Sequence, residues 1–555
     1  MKKLRIYSII LAMTLTTSLM SACKQTVPTT TPAPTKAVDK SPITITFYNQ
    51  DANPKGVAFN DPVAKKITEL TGVTLKIEAP VGGSTERIPL MIASGDYPDM
   101  IYAKGDTNKL VDAGALIKLD DYINKSSNIK SLYGDYLTRL IYSPEDQSMY
   151  TLGAYGVGSQ LWNPNSMFAI QNAVLKDQGY PKVKTLQEFE NAITAYKAKY
   201  PTINGQKTIG LSLCADDWRW LITVGNPLNS ASGRQDDGEW IVDTKTTVAT
   251  YKFMAPEARE YYKWLNGMNA KGLLDPESFT QKYDAYKAKL STGRVLALTD
   301  SPWDYLEPAT SLVKDGKADR TWAPQPITLN DTIQSAGMRD VGYSGGWGVG
   351  ITTSAKNPER VAKFLDWLAS DEGQVLTHWG IEGVNYKIEN GKRVRTPEDI
   401  AKKNSDPDYT INTGVGAYSY PFPERGDGAK DKTGSNYTVN SIESIASNYN
   451  VAEKETLKGY GVKMFKDIFP ASTEVSPYGA AWQTAIPTGT DMEIVFKKAE
   501  DYCQANVPRA VLASPAKFDA VWDEMQAQLK KIGMEKTAAD YTKLLQAKQK
   551  LWEGK

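Results

Sequence analysis

Between Ile43 and Ile77 the hydrophobic period switches from two to three-to-four and back, and few folds accommodate that order. Ile43 to Tyr48 (ITITFY) alternates β-branched with polar residues, as a strand does. Asp61 to Leu70 reads as a helix, with Asp61 as its cap, Pro62 at the first helical position and Val63, Ile67 and Leu70 on one face. Val73 to Ile77 alternates again. Strand, helix, strand is a βαβ unit and predicts an α/β sheet. A short helix over Pro89 to Ser94, a strand over Asp99 to Tyr102 and a helix from Leu110 onward continue the pattern. At the far end Ser514-Pro515 opens a helix with Phe518, Val521, Trp522, Met525, Leu529 and Ile532 at helical spacing, stopped by Gly533. A Thr-x-x-Asp cap at Thr537 and Asp540 opens the last helix. The polar stretch from Asn404 to Gly434 reads as a long loop.

A chain of 555 residues fits two to four domains or two large lobes. The formal net charge of +1 argues against a nucleic-acid partner, which calls for a basic face. With one histidine, His378, and three cysteines, the usual zinc sites cannot be assembled, and no metal or cofactor is expected. Cys214 and Cys503 lie in apolar contexts and read as separate buried thiols, although a disulfide would be possible outside the cell.

Lys2, Lys3 and Arg5 precede a short apolar run ending in Leu19-Met20-Ser21-Ala22-Cys23, the layout of a secretory signal with a lipobox. Residues 1–22 are expected to be removed and Cys23 to carry lipid, which takes the net charge to about −2. No later segment approaches the ~20 apolar residues of a membrane span, so lipid is the expected anchor. Residues 23–41, rich in Thr and Pro, read as a flexible tether.

Gly342-Tyr343-Ser344-Gly345-Gly346 matches G-x-S-x-G, but a strand follows the serine and the lone histidine lies 34 residues on, inside a helix. No phosphate-binding glycine loop is present. Carboxylate pairs such as Asp216-Asp217 leave glycosidase chemistry open. The tryptophans are more telling. Trp264, Trp367 and Trp522 sit at helical spacing and are assigned to core, whereas Trp218, Trp220, Trp303 and Trp347 stand beside Gly, Pro or Asp in loops and are candidates for ligand contact.

Two stretches resemble the extracellular solute-binding proteins, family 1, of bacterial ABC importers. They are SGDYPDMIYAKGDTNKLVDAGALIKLDDYI (Ser94 to Ile123) and GGWGVGITTSAKNPERVAKFLDWLASDEGQVLTHWGIEGVNY (Gly345 to Tyr386). With the lipobox, the chain is similar to the long oligosaccharide-binding lipoproteins of Gram-positive bacteria. The resemblance implies a periplasmic-binding-protein-like α/β fold of class II type, with two lobes hinged about a ligand cleft. The lobes would be residues 42–157 with about 337–400, and 158–336 with about 401–555. It also implies a monomer on the extracellular face of the membrane that hands an oligosaccharide to permease subunits and catalyses nothing. Trp303 and Trp347 would supply the stacking floor, with Asp51, Asn53, Asp99, Asp217 and Asp300 as candidate polar edges; Glu382 is equally a structural candidate. Capping or turn formation accounts for the same acids. Some long relatives carry a calcium loop before the strand begun by Ile209, but Tyr200 to Gln206 lacks carboxylates here. A secreted glycosidase and a peptide receptor of the same fold are the alternatives.

Overall fold

Capping and periodicity produce the expected opening unit. The Asp61 carboxylate accepts the Ala64 N–H at 2.9 Å, and the helix Pro62–Thr71 buries Val63 and Ile67 before Gly72, in a left-handed conformation, turns the chain into the next strand. The computed structural model describes residues 39–554 except 53, 81–85 and 407, so the signal segment, Cys23, most of the tether and Asn53 lie outside the described residues.

In chain order the strands begin with β1 (Ile43–Asn49), β2 (Val73–Glu78), β3 (Met100–Tyr102), β4 (Thr151–Gly153) and β5 (Phe168–Gln171). A hairpin, β6 (Thr202–Ile203) and β7 (Gln206–Lys207), precedes β8 (Ile209–Ser212). A second hairpin follows, β9 (Trp240–Asp243) and β10 (Val248–Tyr251), then β11 (Val295–Thr299), β12 (Trp322–Pro324) and β13 (Gly348–Ile351). A third is formed by β14 (Tyr386–Glu389) and β15 (Lys392–Arg395).

Two main sheets result, of order β2-β1-β3-β13-β4 and β12-β5-β11-β8. In the first, β1, β2 and β3 run parallel and β13 is antiparallel to both β3 and β4. In the second, β11 is parallel to β8 and antiparallel to β5. Each sheet has its own core. Phe47, Ile67, Tyr102, Val349 and Phe364 fill the first. Phe168, Leu211, Tyr262, Cys503, Trp522 and Leu529 fill the second, under the helices Pro256–Ala270, Asp491–Leu512 and Pro515–Ile532. This is the two-lobed α/β architecture. Tyr409, Val415, Tyr418 and Phe422, from the stretch expected to begin the second lobe, pack into the first core.

The chain passes between the halves along segments stitched together by backbone hydrogen bonds. Val157 N–H donates to Glu424 at 2.9 Å, Gln160 N–H to Asp427 at 2.8 Å and Asn165 N–H to Gly337 at 2.8 Å. The helix Pro515–Ile532 ends at Gly533 as expected, but the last helix starts at once, at Met534. Thr537 is therefore a buried residue of its first turn and caps nothing, while Asp540 pairs with Lys536 and Lys543. The expected Asn404–Gly434 loop begins inside the end of the helix Pro397–Ser405 and contains a short helix, Tyr409–Thr413, before continuing irregularly. Cys214 and Cys503 are separate and buried, and burial raises both thiols, Cys214 to about 11.

Candidate functional site

In open α/β sheets ligands bind beyond the carboxyl ends of parallel strands, and both sheets place the expected aromatics there. In the first half those ends lead into Asp51 after β1, Lys104 after β3 and Tyr155 after β4, and Trp347 immediately precedes β13. One oxygen of Asp51 accepts from Lys104 Nζ at 2.8 Å and the other from the Tyr420 hydroxyl at 2.9 Å. The Tyr420 ring packs against Tyr102 and Tyr155, with centroids 5.6 and 5.7 Å apart, and its hydroxyl also hydrogen-bonds that of Tyr102. The Lys104 ammonium stands 5.5 Å from the Trp347 ring.

In the second half β8 leads to Asp217 and Trp218, and β11 to Asp300 and Trp303. Trp218 and Trp303 stack with centroids 5.8 Å apart and planes 27° apart. They are 51% and 56% exposed, which leaves wide indole surface open to a guest. Arg219 backs the pair: its guanidinium lies 4.3 Å from the Trp218 ring and 3.4 Å from Tyr283, and it donates to Asp304 and Asp217 at 3.0 Å each. Three non-glycine residues at these strand ends, Lys104, Tyr155 and Asp217, hold φ of +51°, +73° and +46°. Such conformations persist only where surrounding contacts over-determine them, and they concentrate at functional sites.

The halves meet through Trp482, whose ring lies edge-on to Trp347 at 4.7 Å, and through Asn108 Nδ2, which donates to Ile486 O at 3.1 Å. Beside this contact is a cavity of about 780 Å³, lined by Gly105, Asp106, Asn108 and Lys109 of the first half and by 238–240 and parts of 482–501 of the second. That volume is in the range of small-molecule sites.

Of the expected contact residues, Trp218, Trp303, Trp347, Asp51 and Asp217 lie at these strand ends. The structure corrects three others. Trp220 is 2% exposed and stacks on Phe253, because the chain after Trp218 winds directly into a π-helical turn, Leu221–Gly225, that carries it inward. Asp300 is fully buried and accepts from the Tyr286 hydroxyl at 2.9 Å; burial and neighbouring Asp304 hold its carboxyl well above the usual range. Asp99 lies at the other end of β3, where it accepts from Thr46 N–H and Oγ1 and from Lys356 N–H, so it ties β1 to the turn that follows β13. Glu382 occupies an exposed turn beside Tyr386. Trp482, Tyr155 and Tyr420 were missed, although Trp482 sits in AAWQTAIPTG, the same loop setting that marked Trp303.

Ser344 is buried, and its Oγ accepts from Ala480 N–H at 3.1 Å. His378 is packed inside the helix Asp371–Trp379, its Nε2 unpartnered and 3.7 Å from Glu424. Burial lowers His378 to about 4 and raises Glu424 to about 8, so the contact is a neutral one at pH 7. As the chain has a single imidazole, its NMR titration is directly assignable. The midpoint is expected near pH 4, and a midpoint near 6.5 would show the ring to be solvated. The sign follows from linkage: the unfolded imidazole takes a proton at about 6.5, so folding loses stability as pH falls from there towards 4.

Residues 202–207 form the β6–β7 hairpin, turned by Asn204 and Gly205 with φ of +51° and +76°. It offers no carboxylates to a calcium ion. Among the described residues no cluster of three or more His, Cys, Asp or Glu could hold a metal, and no helix is long and apolar enough to cross a membrane.

Residues 51–375 match the family model of bacterial extracellular solute-binding proteins. The chain is 22% identical over 357 residues to Lipoprotein LipO of Bacillus subtilis, across 61% of this chain and 66% of the relative. It is 23% identical over 342 residues to the fructooligosaccharide ABC transporter substrate-binding protein FusA of Streptococcus pneumoniae, across 58% of this chain and 60% of that one. Both alignments thus span slightly less than two thirds of the relative. The fold is shared with the alginate-binding protein AlgQ2, at TM-score 0.62 and 20% identity, over 93% of this chain and 99% of that one.

Proposed function

The chain belongs to the bacterial extracellular solute-binding proteins, and from that premise we propose that it captures an oligosaccharide between its two halves and delivers it, unaltered, to an ABC permease. The observation that carries this reading is the open, stacked Trp218–Trp303 pair at the strand ends of one half, with Trp347, Tyr155 and the Asp51–Lys104–Tyr420 cluster at those of the other. Sugars present C–H faces and hydroxyl edges, and flat rings with charge-held carboxylates match both. The relative FusA is named for fructooligosaccharides, which supports the ligand class.

Burying one indole face contributes up to about 4–6 kcal/mol before ordering costs, and a neutral hydrogen bond nets about 1. Two such faces with a few polar contacts suffice for micromolar affinity, about −8 kcal/mol. A guest that touches both halves only when they are shut favours the shut state by its differential affinity. Lipid on Cys23 and the tether would hold the protein at the outer face of the membrane as a monomer, with no cofactor.

Protein lacking residues 1–41, screened sugar by sugar by thermal shift and calorimetry, is expected to show saturable stabilisation by at least one oligosaccharide, which is recovered intact. Product accumulation would make the protein a glycosidase, and stabilisation by peptides alone would make it a peptide receptor.

A further inference from the structure

The charges around the crevice are distributed unevenly. Most of its cations are already matched: Lys104 by Asp51, Lys109 by Asp106 at 2.8 Å, and Arg219 by Asp217 and Asp304. Lys497 holds two acids, Glu500 at 2.9 Å and Asp501 at 3.0 Å. Among the described residues lining the 780 Å³ cavity, Lys498 is the one cation without a carboxylate partner, and it is exposed. The lining carboxylates outnumber the lining cations.

A second observation points the same way. Two buried residues that line the cavity have polar oxygens without a hydrogen-bond partner, namely Asn108 Oδ1 and both carboxylate oxygens of Glu239. Asn108 is oriented by its Nδ2, which donates to Ile486 O and to Thr488 Oγ1, so its free atom is the acceptor. Glu239 is 7% exposed, and burial raises its carboxyl to about 7. Lys252 behind it, also buried, donates to Asn226 Oδ1 at 2.8 Å. Buried acceptors call for donors, which hydroxyl groups supply and ionised carboxylates do not.

We propose that this site selects uncharged, hydroxyl-rich oligosaccharides and rejects those built of uronic acids, because its lining carboxylates outnumber its cations, all of those cations but Lys498 are already paired, and the unpartnered oxygen of Asn108 is an acceptor. The inference rests on the oligosaccharide reading above. A uronate entering the crevice brings a charge that only the exposed Lys498 is free to meet and places it beside acidic residues, a repulsive element of the kind that generates specificity.

Calorimetry tests the proposal with two panels of matched length: neutral cello-, manno-, galacto-, xylo- and fructo-oligosaccharides, and oligogalacturonates and oligomannuronates. The best neutral ligand is expected to bind at least ~10-fold more tightly than any uronate, equivalent to about 1.4 kcal/mol. A uronate that binds as tightly as the best neutral sugar overturns this inference and leaves the oligosaccharide reading standing. If neither panel binds, that reading fails and takes the inference with it. In Asp106→Asn, which releases Lys109, uronate affinity is expected to rise at least ~3-fold, or about 0.65 kcal/mol. No change in that variant would mean that lining charge is not the filter.

Discussion

Trp303→Ala is expected to weaken oligosaccharide binding by about 30-fold or more, roughly 2 kcal/mol, with little change in folded stability. The indole is more than half exposed, so its removal opens no cavity in the core. What is lost is the flat surface offered to the guest, together with the stacking partner that holds Trp218 in place. Interface tryptophans of this kind typically account for 2 kcal/mol or more on truncation. Trp347→Ala is expected to act similarly, since it removes both a first-half ring and the edge contact with Trp482. Calorimetry on each variant with the ligand from the screen gives the answer. If both affinities stay within twofold of the parent, the proposed site is wrong.

Arg219→Ala is expected to destabilise the second half by about 3–5 kcal/mol at pH 7, the range for breaking a buried ion pair. Asp304 is buried and one of its oxygens has no partner even with Arg219 in place, so the substitution leaves a carboxylate facing Asp300 and the low-dielectric interior. Burial already raises the Asp304 carboxyl, and losing the guanidinium raises it further. A carboxyl whose folded pKa is raised contributes fully below its unfolded value near 4 and costs stability as pH rises above it. The penalty of the variant is therefore expected to shrink as pH falls from 7 towards 4. Arg219→Lys restores charge but not the planar fork that serves two acids and two rings, and is expected to recover only part of the loss. Denaturant titrations followed by tryptophan fluorescence at pH 7 and pH 5 decide it. A loss below about 0.5 kcal/mol at pH 7, or one independent of pH, would mean that the cluster is not a coupled unit.

Much of the scaffold could be read in advance because its signals are local. The Asp61-Pro62 start, the Gly533 stop and the alternation through Ile43–Tyr48 act within about ten residues, and the structure contains each. The misreading at Thr537 has the same origin: a cap motif competes with whatever precedes it, and left-handed Gly533 restarted the helix three residues early. Trp218 and Trp220 carry nearly the same local signal in ADDWRW, yet one lies on the surface and the other in the core. That outcome depends on the π-helical turn that follows and on Phe253, 33 residues away.

Read on its own, the chain specified an α/β architecture, two buried thiols, a lone histidine inside a helix and unsuited to catalysis, and loop tryptophans suited to a ligand. Those properties follow from periodicity, capping and composition, which each segment carries within itself. Tertiary structure alone decided which acids stand at the strand ends and which are held in the interior or at the far end of the sheet. Asp51 stands at the strand ends because Lys104 and Tyr420, 53 and 369 residues away, hold it there, whereas Asp300 is claimed by Tyr286 and Asp99 by Thr46. A carboxylate's role is set by the charges and donors within a few ångströms of it, and those neighbours come from parts of the chain that no local pattern connects.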